Sequence, residues 1–304
     1  MLSPFPIEPA EATRRLGLSE PSARRGLSEG DWAMWDDGAC TSSTPGALAA
    51  ACPAIFSVLP GHRLLMGNAA AGMALELLLS TQRALAITGT RRSTSEAAEW
   101  FTRLAKAWKP VDDHMPWLVH GGAIGTDQAL AAAWRSVGGG EVIVLGGGIA
   151  HARDCHPLRP LISATAVSRA AALSLCPPAQ PPDAASLVRR NRLIALLGSC
   201  LLVGQVMGGR GGAWHTVRGA LKFRRPLFRL PDAAALMGDP IISPAEMRDG
   251  QERLRLAGAS ELPGHAVRAA MLLNQACLNT LPFLQAGAAL WDAPPGSAQP
   301  DLFA

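Results

Sequence analysis

The pattern of apolar and polar residues changes at Arg83. From there onward, short apolar runs alternate with stretches in which apolar residues recur at helical spacing, such as Glu96–Trp108 and Asp127–Val137. The apolar runs predict six strands: Leu85–Thr88, Trp117–His120, Val142–Leu145, Ala172–Leu175, Leu201–Val203 and Pro226–Leu230. Nearly continuous apolar strands that alternate with helices are typical of a parallel sheet covered on both faces. We therefore expect an α/β fold, with a doubly wound, mainly parallel, Rossmann-like sheet over residues 83–231.

The segments on either side of this domain predict helical extensions and a flexible end. Residues 1–82 form an N-terminal extension that the pattern defines poorly; Gly38–Pro45 has the composition of a linker, and Asn68–Gln82 predicts a helix. Residues 232–292 predict a mostly helical C-terminal extension, and residues 293–304, rich in Pro, Gly and Ser, predict a flexible tail. One helix of the C-terminal extension has a predicted apolar face: Val267, Met271, Leu273, Leu278 and Leu281.

Glycine follows four of the predicted strands. The first of these loops also contains Ser93 and Glu96 at the spacing of a helix capping box. In a parallel sheet, ligands bind at the carboxyl ends of the strands, where glycine lets the backbone approach a phosphate closely. The sequence therefore predicts a phosphate-bearing ligand at this edge. The glycines concerned are Gly89; Gly121, Gly122 and Gly125; Gly146–Gly148; Gly204 and Gly208–Gly212.

The formal net charge of +4 conceals a strongly basic segment. Residues 184–231 contain no Asp or Glu, although a charged face normally mixes both signs. Such a segment favours a polyanionic partner. Its nine cationic residues are Arg189, Arg190, Arg192, Arg210, Arg218, Lys222, Arg224, Arg225 and Arg229.

Several classes of protein are disfavoured by what the sequence lacks. It has no P-loop that ends in Gly-Lys-Ser/Thr and no spaced metal-ligand set, so we expect no catalytic residue, no metal and no cofactor. Six scattered cysteines, the lack of a secretory signal and the lack of an apolar run of about 18 residues predict a cytoplasmic protein without a membrane span. Among the tryptophans, Trp100 and Trp108 are predicted core residues, and Trp214 is the candidate for base stacking.

The glycine loops and the arginine-rich stretch resemble motifs of the DNA-processing protein A family. The match covers about half of the chain, and its most specific part is the Arg-Arg-Asn-Arg-Leu-Ile-Ala run. Thr90, His120 and Thr126 depart from the family pattern, which has Ser, Ser and Ile at these places. The matching segments are Ala86–Arg91, His120–Asp127, Val142–Gly148, Arg189–Ala195, Gly211–Ala213 with Thr216, and Arg225–Pro231.

This resemblance implies a non-catalytic protein that binds single-stranded DNA, forms a homodimer and loads the RecA recombinase during natural transformation. The first loop would clamp a phosphate, the second would approach the same groove, and the arginine block would follow the DNA backbone. Asp127 is either part of this site or an N-cap or first-turn carboxylate favoured by the helix dipole, and Asn191 either binds a base or braces a loop. The predicted DNA- and phosphate-binding residues are Gly89, Thr90, Arg91, Gly121, Gly122, Gly125, Asp127, Arg189, Arg190, Asn191, Arg192, Arg210, Gly211, Gly212 and Thr216.

Two alternative functions stay open at this point. A LOG-type phosphoribohydrolase, which cleaves nucleoside monophosphates, belongs to the same superfamily but needs glutamates after its Pro-Gly-Gly-x-Gly-Thr motif. The corresponding block here, residues 208–220, contains no carboxylate. A nucleotide-sensing module would use the same glycine loops on a small ligand.

The last residues of the chain contain a candidate partner-binding peptide. Gln299-Pro300-Asp301-Leu302-Phe303 resembles the peptide that binds the bacterial sliding clamp, typically Gln-x-Asp/Ser-Leu-Phe. Leu302 and Phe303 would fill an apolar pocket of the clamp, and Gln299 would make the orienting hydrogen bonds. We therefore expect the sliding clamp as a partner through residues Gln299, Leu302 and Phe303.

Overall fold

The structure, a computed structural model, groups the chain into two compact units. The first comprises residues 1–81 and 142–190, and the second comprises residues 82–141 and 191–304. The four-part division expected from the sequence stays a prediction. The residues that the structure describes are 32–36, 39–41, 55, 64–68, 70, 71, 74, 75, 78, 83–108, 115–162, 169–236 and 243–279.

The strands are short and mostly buried. In chain order they are β1 (Trp32–Asp36), β2 (Ala39–Thr41), β3 (Leu64–Asn68), β4 (Ala84–Thr88), β5 (Trp117–His120), β6 (Glu141–Leu145), β7 (Ala170–Ser174), β8 (Cys200–Val203), β9 (Leu227–Arg229) and β10 (Ser260–Glu261).

The strands of the second unit form a parallel sheet in the order β10-β9-β8-β4-β5. The chain moves from β4 to β5 in one direction, and β8, β9 and β10 then follow on the other side of β4. The direction therefore reverses at β4, where open α/β sheets bind their ligands. The doubly wound, Rossmann-like fold predicted from the sequence is confirmed.

The first unit contains the antiparallel strands. Its order is β6-β7-β3-β1-β2, and the pairs β7–β3, β3–β1 and β1–β2 are antiparallel. Two sequence predictions need adjustment. Gly38–Pro45 is not only a linker, since it contains β2. Asn68 ends β3, but the described residues further along the predicted helix, Ala71, Ala74, Leu75 and Leu78, are helical.

The helices follow the strands in the alternation that the sequence predicts. In chain order they are α1 (Ser95–Trp108), α2 (Thr126–Ser136), α3 (Ile149–Cys155), α4 (Arg159–Ile162), α5 (Ala184–Leu197), α6 (Gly212–Lys222), α7 (Asp232–Ala235), α8 (Pro244–Leu256) and α9 (Ala266–Asn279). None of the helices in the described part of the chain is long and apolar enough to cross a membrane.

The core of the second unit lies between α1, α2, α9 and the sheet. Trp100 and Trp108 are buried in it, as predicted, and Trp108 meets Trp134 edge to face with ring centroids 5.1 Å apart. In the first unit, apolar residues of β3, β6, β7, α3 and α4 form a separate cluster. Because residues of the strands are buried in these two clusters, the strand sequences are apolar runs.

Two helix predictions need correction. The capping box at Ser93 is wrong, because α1 begins at Ser95 and the hydroxyl of Thr94 accepts the amide of Ala97 at 3.3 Å. The apolar face predicted around α9 is also wrong. Its buried face consists of Ala269, Ala270, Leu273, Asn274 and Cys277, while Val267, Met271 and Leu278 are exposed. Small residues pack closely against the sheet, which apolarity alone does not reveal.

Candidate nucleic-acid interface

Three loops of the second unit meet at the carboxyl ends of β4, β5 and β8. We call them the β4 loop (residues 89–94), the β5 loop (residues 121–125) and the β8 loop (residues 204–211). The amide of Thr90 donates to the carbonyl of Gln205 at 2.7 Å, and the amide of Thr126 donates to the carbonyl of Thr90 at 3.0 Å. These backbone bonds fix the loops together at the point where the sheet reverses direction.

Thr126, the first residue of α2, fills the space between the β4 and β8 loops. It is fully buried, and a Cβ added at Gly89 or Gly204 would overlap its side chain. Glycine is therefore required at both positions by a protein side chain. The amide of Thr90 is also used internally, so the predicted phosphate clamp of Gly89, Thr90 and Arg91 depends on the exposed Arg91.

The N–H groups of the β5 loop donate hydrogen bonds to side chains of the protein. The Asp127 carboxylate accepts the N–H groups of Gly121 at 3.0 Å and Ala123 at 3.3 Å. The Nδ1 atom of His120 accepts the N–H of Gly122 at 3.0 Å. Asp127 is buried in the first turn of α2, but Gly125 is the N-cap and has no side-chain cap, so the carboxylate holds the β5 loop in place instead of capping the helix.

His120 is itself held by a buried carboxylate. Because its Nδ1 accepts a hydrogen bond, its Nε2 carries the proton and donates to Glu141 at 2.9 Å. Arg135 donates to both oxygens of the same carboxylate, at 2.9 and 2.8 Å. Burial alone would raise the pKa of Glu141, but the hydrogen bond from His120 and the attraction of Arg135 bring this pKa below its ordinary value.

The glycine loop after β6 lies in the first unit and is filled by residues of that unit. A Cβ at Gly146 would meet Leu187, and one at Gly148 would overlap the carbonyls of Pro177 and Pro178. The amide of Gly148 donates to Gln180 at 2.8 Å. This loop therefore packs against residues 177–187 and does not form an open cradle.

The end of the β8 loop is open. Gly211 has φ +95° and is the N-cap of α6, and a Cβ there would meet no atom within 4 Å. Gly211 and Gly212 are exposed, as is the preceding Arg210. Asn191 donates to the carbonyl of Gly212 at 2.9 Å, which is the bracing role rather than contact with a base. Of the glycine loops, this segment leaves space for a ligand among the described residues.

Helix α6 continues from this opening with a basic stripe. His215, Arg218 and Lys222 follow one another at helical spacing on the face opposite the buried Val217 and Ala220. We call His215, Arg218 and Lys222, with Arg210 before them and Arg192 from α5, the basic stripe. Four of these five side chains are exposed and His215 is half-buried.

Three residues of the basic stripe interact electrostatically. The pKa of His215 is lowered from its ordinary value by burial, then by the positive charges of Arg218 and Arg192. Helices α5 and α6 approach closely there, since the Cβ position of Gly219 lies 3.7 Å from the Cα of Arg192. The backbone of Arg192 therefore lies beside α6, and its charge acts on His215.

Other cations of the acid-free segment have structural roles. Arg225 is buried and donates to the carbonyl of Leu196 at 2.9 Å, and burial lowers its pKa to about 10. Arg229 is buried and ion-paired with Asp232 and Glu261. The acid-free segment of the sequence is therefore not an acid-free surface.

The arginine block on α5 is divided in the same way. Arg192 is exposed, whereas Arg190 is buried. Arg189 lies in the first unit beside Cys176 and near Asp183, whose pKa it helps to lower after the hydrogen bonds from Ser186. Arg192 is thus the member of the block that the structure places at the basic stripe.

Two further predicted residues are buried. Thr216 is fully buried, with its hydroxyl 3.4 Å from that of Thr88, so it supports the site from inside. Trp214 is also buried and donates to the carbonyl of Met207 at 2.9 Å, so the expectation that it stacks on bases is wrong. The sequence analysis counts Arg218 and Lys222 among the cations of the basic segment. It does not name them or His215 as binding residues, although their helical spacing was the available signal.

Gln299, Leu302 and Phe303 lie outside the residues that the structure describes. In the described ranges, no group of three His, Cys, Asp or Glu side chains could hold a metal ion.

Fold and site together define a Rossmann-like α/β protein whose sheet edge leads into a basic helical face. The family model of DNA recombination-mediator protein A matches residues 75–239. The chain belongs to this family. A comparison with curated protein sequences gives no match.

Two solved structures share the fold. DNA-processing protein A of Streptococcus pneumoniae has a TM-score of 0.58 at 21% identity, over 86% of this chain and 82% of that one. The protein of the same name from Helicobacter pylori, described with a unique single-stranded DNA binding mode, has a TM-score of 0.54 at 21% identity, over 72% of this chain and 91% of that one.

Proposed function

We propose that this protein binds single-stranded DNA through the basic stripe and acts without catalysis in DNA processing or recombination. Membership of the recombination-mediator family supports the process. The description of the H. pylori protein as a single-stranded DNA binder supports the ligand.

The proposal rests on one observation: the open end of the β8 loop leads directly to the cations of α6. The exposed Gly211 and Gly212 lie between Arg210 and the cations of α6, while the other glycine loops are filled by protein. An extended strand of phosphates matches a line of cations on one helix face, and backbone contacts of this kind give affinity without strong sequence preference.

Fluorescence anisotropy of a labelled single-stranded oligonucleotide tests this proposal. Each phosphate neutralised should make log affinity fall by ~0.7 per unit of log salt. We expect micromolar or tighter binding with a marked salt dependence, and weaker binding to a duplex of the same length. Binding that ignores salt, or none, contradicts the proposal. Incubation with nucleoside monophosphates, with release of free base as the readout, tests the phosphoribohydrolase alternative.

Single substitutions in the basic stripe locate the interface. Arg192→Gln and Arg218→Gln should each reduce the salt slope by ~0.7 and leave the thermal transition nearly unchanged, because both side chains are exposed. Arg103→Gln is the matched control, since Arg103 is exposed on α1 and lies 3.9 Å from Glu99. If the control weakens binding as much as the stripe variants do, the interface lies elsewhere.

The remaining partners are proposed from the family resemblance. We propose a cytoplasmic homodimer that engages RecA during DNA uptake and the sliding clamp through Leu302 and Phe303. Sedimentation equilibrium tests the dimer: a monomeric mass at all accessible concentrations excludes it. Pull-down of purified RecA by the immobilised full chain, with and without single-stranded DNA, tests the recombinase contact.

A further inference from the structure

One large aliphatic side chain is exposed among the loops at the carboxyl edge of the parallel sheet. Ile124, in the β5 loop, is 63% exposed, the highest value among the large exposed apolar residues of the described ranges. The others lie on α8 and α9. A single exposed isoleucine is ordinary on a protein surface, so the surroundings of Ile124 decide what it can bind.

The backbone on both sides of Ile124 is fixed. The Asp127 carboxylate accepts the N–H of Ala123, the residue before it, at 3.3 Å. The residue after it, Gly125, has φ +92°, and a Cβ there would overlap the backbone of Arg91 in the β4 loop. Because the β5 loop is held in this way, little conformational entropy is lost when Ile124 contacts a ligand.

The β4 loop beside Ile124 carries two exposed cations, Arg91 and Arg92. The hydroxyl of Thr90 accepts the amide of Arg92 at 3.1 Å, which orders the backbone between these residues. Neither the β4 loop nor the β5 loop contains Asp or Glu. The exposed residues of the two loops are therefore two guanidinium groups and one apolar side chain.

This combination matches the two parts of an unpaired nucleotide. Guanidinium groups bind phosphates, and the faces of unstacked bases accept apolar side chains. Isoleucine is among the side chains that nucleic-acid-binding proteins insert against bases. The amide of Thr90 donates to the β8 loop at Gln205, at 2.7 Å, so these groups lie on the same sheet edge as the opening at Gly211.

We propose that Ile124 is a base contact of the nucleic-acid interface and that Arg91 and Arg92 bind the neighbouring phosphates. This inference rests on the proposed function. It extends the interface from the basic stripe across the β8 and β4 loops to the β5 loop, and it adds a contact that does not depend on charge.

Anisotropy titrations of single-stranded DNA with the full chain, at several salt concentrations, separate the two kinds of contact. Ile124→Ala should weaken binding about fivefold at every salt concentration and leave the salt slope unchanged, because an apolar contact releases no counterion. Arg91→Gln should instead lower the slope by ~0.7. Ile124→Phe, which offers a larger apolar face, should bind at least as tightly as the wild type.

Leu256→Ala is the matched control for the apolar substitution. Leu256 is 54% exposed at the end of α8, so its truncation also removes an exposed aliphatic side chain. This variant should bind DNA as the wild type does. An equal loss of affinity in the Leu256→Ala variant would overturn the Ile124 contact, because the effect would not be specific to the β5 loop.

An oligonucleotide of abasic sites tests whether Ile124 contacts a base. The wild type should bind it more weakly than the intact strand of the same length, and the Ile124→Ala variant should show a smaller difference between the two strands. Equal differences for both proteins overturn the base contact. The thermal transition of each variant is measured alongside, and Ile124→Gln replaces Ile124→Ala in both comparisons if the alanine variant is less stable.

The outcomes separate this inference from the proposed function. Absence of binding by the wild-type chain overturns both. Salt-dependent binding by the wild type, with unchanged affinity in the folded Ile124 variants, overturns the base contact alone. A lower sedimentation mass for the Ile124→Ala variant, without a change in DNA affinity, also overturns it, because the side chain would then contact a second copy of the chain.

Discussion

Thr126 links the β4 and β8 loops through its side chain. It is fully buried between Gly89 and Gly204, and its hydroxyl has no hydrogen-bond partner among the described residues. An unpaired buried hydroxyl costs about 1–3 kcal/mol of stability. The shape of the Thr126 side chain therefore fills the space between the two loops, whereas its unpaired hydroxyl lowers the stability of the protein.

We expect Thr126→Val to raise the free energy of unfolding by about 1 kcal/mol, because it keeps the shape and removes the unpaired hydroxyl. Chemical denaturation measures this change. Thr102→Val is the matched control and should lower stability, since the Thr102 hydroxyl donates to the carbonyl of Ala98 at 3.0 Å. A loss of stability in the Thr126→Val variant would show that the hydroxyl is bonded in solution.

We expect His215 to make the proposed DNA binding sensitive to pH. Burial and the charges of Arg218 and Arg192 lower the pKa of its imidazole in the free protein. A phosphate bound at the stripe favours the imidazolium and raises this pKa, so binding takes up a proton. Affinity should then rise as the pH falls from the pKa of the complex to that of the free protein.

Titration of DNA affinity with pH at constant ionic strength measures this linkage. The His215→Gln variant should lose most of the rise at low pH, while His265→Gln, which changes an exposed histidine outside the stripe, should keep it. A full pH dependence in the His215→Gln variant would assign the linkage to another group.

At the scale of elements, the packing of α8 on the β8 loop depends on Gly250. Its Cβ position overlaps a backbone carbonyl, which no side-chain rotation can relieve. Gly250→Ala should therefore lower the free energy of unfolding by about 1–3 kcal/mol, even though alanine favours a helix over glycine.

The thermal transition tests this packing. Gly264→Ala is the control, because a Cβ there meets no atom within 4 Å and should leave the transition unchanged. If the Gly250→Ala variant is as stable as the wild type, α8 does not pack on the loop as described.

The strands of the central domain were predictable within two residues, and the antiparallel hairpin was not. Buried parallel strands read as apolar runs, so β4, β5, β6 and β8 stand out in the sequence. The three-residue β2 and two-residue β10 are too short to show a period. They form because neighbouring strands offer hydrogen-bonding edges, which are not visible along the chain.

At the scale of the whole molecule, the motif proposed to bind the sliding clamp lies outside the described residues. The motif of residues 299–303 should lose binding to the cognate sliding clamp when Leu302→Ala and Phe303→Ala are combined, because these two residues supply the apolar anchors. Calorimetric titration of the wild-type and doubly substituted full-length chains measures the difference. Equal binding by both chains would remove the clamp as a partner through this motif.

The sequence by itself determined the α/β class, the order of strands and helices, the family resemblance and the loops at the sheet edge. These features depend on local periodicity and short motifs, which are visible directly in the amino-acid sequence. Only the tertiary structure decided which glycines face protein and which face solvent: Gly89 and Gly204 enclose Thr126, while Gly211 and Gly212 are exposed. It also decided which cations of the basic segment are paired, because carboxylates distant in sequence, such as Glu261 beside Arg229, neutralise part of that segment. Burial and ion pairing are properties of contacts between distant residues, and the chain acquires them only when it folds.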